Sequence, residues 1–143
     1  EYLRNPASEA GAVIDYRDWQ VPLGRRFRSL KLWFVLRSYG VEGLQAHIRR
    51  HVDAAQDLAR QVAQHPKLEL VAPPTLALVC FRHLDGDQAS EDLLQALNAT
   101  GEVLLTHTKL NDRYVLRVAV GATQTTQSHV QHLMDLIAEQ LSS

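Results

Sequence analysis

The hydrophobic period of this chain changes at Pro66, and that change restricts the available folds more than any other feature of the sequence. Before it, apolar residues recur at helical spacing: Phe27, Leu30, Trp33, Phe34 and Leu36 within residues 23–39, then Leu44, Ile48, Val52, Ala55, Leu58 and Val62. Gly40 offers a stop between the two runs. Pro66 ends the second, because proline disfavours helix in the residue before it. Arg49, Arg50, Asp53 and Asp57 supply that helix's polar face. After Pro66 the pattern becomes short and strand-like: residues 68–71 and 76–82 read as two strands parted by the stiff Pro73-Pro74 pair.

Ser90 followed by Glu91 and Asp92 predicts a helix start, since a cap oxygen and first-turn acids satisfy free amides and favour the dipole; Leu93, Leu94 and Leu97 form its core face. Residues 103–107 and 114–120 predict a further strand pair joined by a turn at Asn111-Asp112. A last helix over residues 125–141 would bury Val130, Leu133, Met134, Ile137 and Leu141. Residues 1–22, broken by Asn5-Pro6, Gly11 and Pro22, read as a mobile loop. The order is therefore loop, two helices, then strand, strand, helix, strand, strand, helix. Short connections favour hairpins, so the expected fold is α+β, an antiparallel sheet covered by helices on one face. No internal repeat or low-complexity segment interrupts it.

Charge and composition narrow the function. With 15 Lys and Arg against 16 Asp and Glu in 143 residues, no global field favours a polyanion, so nucleic acid is not expected as a partner. The single cysteine, Cys80, sits in the apolar run Leu76-Ala77-Leu78-Val79-Cys80-Phe81 and reads as a small buried hydrophobe in a reducing, cytoplasmic setting. No run approaches the roughly 18 apolar residues of a membrane span, and the first residues do not resemble a signal peptide, so a soluble protein is expected. The chain opens at Glu1 without an initiator Met, which suggests that a preceding segment has been removed.

Metal chemistry finds little support. His47 and His51 stand four apart on a helix, but no HExxH arrangement accompanies them and no third ligand is indicated, so no metal is expected. His129 and His132 flank a helical core, and His107 ends a strand. Neither a GxSxG elbow nor a GxGxxG loop occurs, and a lone Cys without a placed base is no nucleophile. Gly24-Arg25-Arg26-Phe27-Arg28 could hold a phosphate at a helix start, given an anion to meet its three arginines.

Longer runs carry a family signature. Glu1-Tyr2-Leu3-Arg4-Asn5, then Asp15-Tyr16-Arg17-Asp18-Trp19-Gln20 and Arg25-Arg26-Phe27-Arg28-Ser29-Leu30-Lys31-Leu32-Trp33, closely resemble the group II pyridoxal-phosphate decarboxylases, and within them the aromatic-L-amino-acid decarboxylases. The similarity continues through Arg37-Ser38-Tyr39-Gly40-Val41-Glu42-Gly43 and returns at Leu78-Val79-Cys80-Phe81-Arg82 and Tyr114-Val115-Leu116-Arg117. It implies the carboxy-terminal portion of a fold-type I enzyme. Residues 1–30 would be the catalytic-loop segment and end of the large cofactor domain, and residues 31–143 the small carboxy-terminal domain. In such enzymes a lysine preceded by histidine forms the Schiff base with pyridoxal phosphate. Here Lys31, Lys67 and Lys109 are the lysines and none follows a histidine. The resemblance therefore implies that an upstream domain binds the cofactor, that this portion alone is inactive, and that the parent is a homodimer acting on aromatic amino acids.

The same resemblance assigns roles. Tyr2 matches the tyrosine of the mobile catalytic loop, where a phenol of pKa about 10 is protonated at neutral pH and can deliver a proton to the product's Cα. Gly24 matches a position lining the aromatic pocket, where a missing side chain admits an indole; a turn before the helix would equally use a glycine. Arg17 matches an arginine close to the active site, with an ion pair to Asp15 or Asp18 as the plainer role. Trp19 and Trp33 are expected as core anchors, and Arg117 as structural. Aromatic aldehyde synthases, which typically carry Phe where Tyr2 stands, are an alternative, as is a self-standing dimerisation module.

Overall fold

The computed structural model describes residues 27–142. The chain divides into two compact units between His47 and Ile48. Helix α1, Arg28–Gln64, is interrupted at Gly40, whose φ of 67° and ψ of 171° leave the helical region. A side chain there would be strained. The predicted stop is thus a break between two helical stretches rather than an end.

Beyond that break the sequence dictates which face turns inward. His51, Ala54, Ala55, Leu58, Ala59 and Val62 are buried, spaced at three and four residues along one side. Ile48, expected on the same face, is exposed. α1 stops at Gln64 and Pro66 follows.

Four strands then form one antiparallel sheet: β1 Leu68–Leu70, β2 Leu78–His83, β3 Thr106–Leu110 and β4 Arg113–Ala119, in the order β1-β2-β4-β3. α2 spans Asp87–Ala99 and α3 Gln127–Ser142. The α+β expectation holds, with its strand and helix order intact. Phe81 lies opposite both Leu70 and Leu116, and Val79 opposite Val118. One face of the sheet therefore presents a continuous apolar layer, joined in one core by α1 residues Leu58 and Val62, by Leu93, Leu94 and Leu97 of α2, and by Val130, Leu133 and Ile137 of α3. Fully burying a leucine stabilises by about 2 kcal/mol, so this layer is what holds the second unit together.

The structure moves several boundaries. α2 begins at Asp87 after Gly86, whose φ of 109° favours glycine, so Ser90 is not the cap. Instead Ser90 is fully buried in the first turn; its Oγ accepts from the His83 amide at 3.0 Å and donates to the Gly86 carbonyl at 2.8 Å. β2 begins at Leu78 because Thr75 and Leu78 close a two-residue turn in which Leu76 takes a φ of 52°. β3 begins at Thr106, since the Asn98 side chain occupies both the amide and the carbonyl of Leu105, at 2.8 and 3.1 Å. Asn111 and Asp112, both at positive φ, make the two-residue hairpin turn that fixes Leu110 opposite Arg113.

Candidate functional site

Tyr2, Arg17 and Gly24, the residues singled out for substrate chemistry, lie outside the described residues, as does Trp19. The described part shows the frame that follows them. Arg117 stands on β4 opposite Cys80 and Thr106 and is half-buried. Burial pushes the Cys80 thiol up while Arg117 pulls it down, burial being the larger cause. The thiol is therefore protonated at neutral pH, in keeping with a packing role and against a nucleophile.

Two clusters went unnoticed in the sequence because they depend on register. Arg82 lies directly opposite Glu69 across β1 and β2. Its Nη2 is 3.2 Å from Asp87 Oδ1 and its Nε 3.7 Å from Glu69 Oε1, which Arg113 Nη1 also approaches at 3.6 Å. Arg82 Nε is buried and lacks a hydrogen-bond partner. The guanidinium is held by charge between two carboxylates, a structural clamp joining β1, β2 and the start of α2.

His83 is the second. It is buried, and its Nδ1 accepts from the Asp85 amide at 3.0 Å, which places the neutral ring's proton on Nε2. It lines a surface cleft of about 270 Å³ with Asp92, Leu93, Gln140 and Leu141. Burial, and then the charges of Lys67 and His83, hold the nearby His65 imidazole below its ordinary range. On β3, His107 stacks on Tyr114 of β4 with ring centroids 4.6 Å apart. The Tyr114 phenol is pushed up by burial and by Glu91. None of these arrangements pairs a nucleophile with a base.

Nor do they fit pyridoxal phosphate. A Schiff-base lysine works from a desolvated site where its amine can lose its proton. Lys31, Lys67 and Lys109 are all exposed, and Lys67 Nζ donates to the Leu141 carbonyl at 2.5 Å. Neither the cleft at His83 nor a second one beside Trp33 has a lysine in its wall. Among the described residues no three His, Cys, Asp or Glu side chains gather to hold a metal ion, and no helix is long and apolar enough to cross a membrane. His51 is buried in the α1 core face, whereas His132 Nε2 and Glu102 Oε2 meet at 2.7 Å near the surface.

Trp33 departs from expectation. It is 54% exposed and meets Phe34 edge-on, with centroids 5.1 Å apart, so it anchors no core among the described residues.

Comparison with known proteins supplies what the frame alone does not. The pyridoxal-dependent decarboxylase conserved domain matches residues 1–84. Tryptophan decarboxylase 2 of Oryza sativa subsp. japonica is 44% identical over 147 residues, covering 98% of this chain and 30% of the relative. Phenylacetaldehyde synthase of Arabidopsis thaliana is 45% identical over 149 residues, 99% of this chain and 30% of its own length. The crystal structure of the Oryza sativa enzyme TDC with PLP and tryptamine superposes with a TM-score of 0.80 at 42% identity, over 99% of this chain and 31% of that one. The chain thus spans about 30% of the length of these curated relatives.

Proposed function

The chain belongs to the pyridoxal-dependent decarboxylase family, and on that footing we propose that it is the carboxy-terminal portion of an enzyme converting aromatic L-amino acids to amines and carbon dioxide. The observation that carries this reading is identity of 44% to a tryptophan decarboxylase, sustained over 98% of the chain. Pyridoxal phosphate is held by a part of the parent outside these residues, and this portion alone is inactive. The parent works as a homodimer, and its single cysteine in this region accords with a cytoplasmic setting.

This chain's own contribution to the chemistry lies in three residues. Loss of carbon dioxide leaves an electron pair at Cα, and the proton that replaces the carboxylate comes from a positioned acid. Tyr2 is that acid: its phenol is neutral at pH 7 and carries a transferable proton. Gly24 shapes the wall against the aromatic ring, leaving space for an indole. Arg17 positions the loop or the substrate. In the part that follows, the sheet is fixed by the Arg82 clamp and the Ser90 bridge.

The Arabidopsis phenylacetaldehyde synthase matches as well as the decarboxylases do, so overall similarity does not separate amine from aldehyde production. Tyr2 favours the amine, since the aldehyde-forming relatives typically carry Phe there. The test is to supply the full-length protein with L-tryptophan, L-tyrosine and L-DOPA and to quantify carbon dioxide, amine, aldehyde and peroxide together. Amine matching carbon dioxide one-to-one is expected. Aldehyde and peroxide in its place would reassign the enzyme as an aldehyde synthase, and no turnover of any of these acids would refute the aromatic substrate class.

A further inference from the structure

The cleft beside His83 combines an apolar lining with two polar groups that the fold leaves partly unused. Along α2, Ala89, Asp92, Leu93 and Ala96 recur at intervals of three and one to three residues, so one side of that helix lines the cleft over about 10 Å of rise. Leu141, in the last turn of α3, adds a second apolar wall. His83 ends β2 beside the first turn of α2, where Ser90 Oγ holds its amide at 3.0 Å. Its side chain is only 7% exposed. Nδ1 is taken up by the Asp85 amide at 3.0 Å, so the neutral ring carries its proton on Nε2, and among the described residues no acceptor meets that proton. Buried N–H groups are ordinarily satisfied, and this one in a cleft wall calls for an acceptor from whatever fills the cleft.

Asp92 is the second group. Its Oδ1 accepts from Gln88 Nε2 at 2.9 Å, and no cation among the described residues pairs with it. Lys67, whose Nζ is held by the Leu141 carbonyl, stands outside the cleft wall. We propose that this cleft binds a small hydroxylated arylalkylamine. The ammonium pairs with Asp92, the ring lies against Ala89, Leu93, Ala96 and Leu141, and the hydroxyl oxygen accepts from His83 Nε2–H. Asp92 disfavours an anion, and a wholly apolar molecule would leave both polar groups without partners. A volume of about 270 Å³ admits one ring with a short chain. No residue of the cleft is among those assigned to catalysis. Amines of this class are what the parent releases under the reading above, so the cleft would bind its product, but the binding itself does not depend on that reading.

The test is methyl-resolved NMR of the full-length protein titrated with tyramine and observed at Ala89, Ala96 and Leu141, which report on the cleft wherever else the amine binds. Saturable shifts at all three should give a Kd of about 0.1–1 mM, ordinary for a ligand of about ten heavy atoms. Asp92→Asn should weaken binding about threefold or more, and so should exchanging tyramine for phenethylamine, which lacks the hydroxyl. The anion 3-(4-hydroxyphenyl)propionate should leave the three methyls unmoved. Ala96→Phe, which fills the cleft from α2, should abolish the shifts at Ala89 and Leu141. Methyls that stay silent up to about 10 mM tyramine, well above the Kd expected of such a ligand, overturn the proposal. So do an affinity that Asp92→Asn leaves unchanged, a propionate that binds as well as the amine, or shifts that survive Ala96→Phe. The titration needs no turnover: an active decarboxylase with silent cleft methyls refutes the cleft alone, and a cleft that binds tyramine in a protein that turns over no aromatic acid refutes the catalytic reading alone.

Discussion

Ser90→Ala removes one oxygen from the centre of the frame, and its cost follows from three bonds. Ser90 Oγ is the acceptor for the buried His83 amide at 3.0 Å, and an orphaned buried donor costs about 1–3 kcal/mol. The Gly86 carbonyl loses the Oγ at 2.8 Å but keeps the Ser90 amide at 3.1 Å, so it stays satisfied. Alanine returns about 0.5 kcal/mol through its higher helix propensity. The net loss should be about 0.5–2.5 kcal/mol. Urea unfolding followed by far-UV circular dichroism measures it as a lower midpoint at unchanged slope. Gln95→Ala, on the exposed side of the same helix, is the control. A loss for Ser90→Ala below about 0.5 kcal/mol, the scatter of ordinary surface substitutions, would mean that the His83 amide finds another partner and that the bridge is not what orients this junction.

His65 has its folded-state pKa held below the ordinary 6.5, so the unfolded chain binds more protons and stability should fall as pH drops below about 6.5. His65→Gln should flatten that slope in unfolding curves taken across the range, and an unaltered slope would shift the effect to another group. The Cys80 thiol, half-buried and pushed up by that burial, should react with a disulfide reagent at pH 7 more slowly in the folded chain than in urea, and equal rates would contradict its shielded, protonated state. In the full-length protein, Gly24→Ser should shift preference from indolic towards phenolic substrates by about 1–3 kcal/mol, and an unchanged ratio of kcat/KM for tryptophan and tyrosine would assign Gly24 to the turn alone.

The element order was legible because each element carries its own period. Ala55, Leu58 and Val62, like Leu93 to Leu97, repeat at helical spacing, and Asn111-Asp112 announces a hairpin that the positive φ angles fulfil. The boundaries were not legible, because non-local bonds set them. Asn98 takes the Leu105 backbone and delays β3, leaving Leu104 exposed, and Ser90 serves His83 rather than a cap. Arg82 and His83 drew no attention as candidates because their surroundings come from strand register and from turns several residues away. Trp33 looked like an anchor from its spacing, which was right about the helix; spacing carries no information on what lies against it. Tyr2, Arg17 and Gly24 were legible only through family resemblance, since no spacing rule marks a loop tyrosine as an acid.

The most direct measurement of the central claim is product partition in the full-length protein carrying Tyr2→Phe, which keeps the ring and removes its transferable proton. Carbon dioxide should still be released from aromatic L-amino acids while amine falls sharply. Aldehyde, ammonia and hydrogen peroxide should appear in its place, with dissolved oxygen as the oxidant and consumed accordingly. Amine formed at the wild-type rate, with no aldehyde, would contradict the assignment of Tyr2 as the acid that protonates Cα.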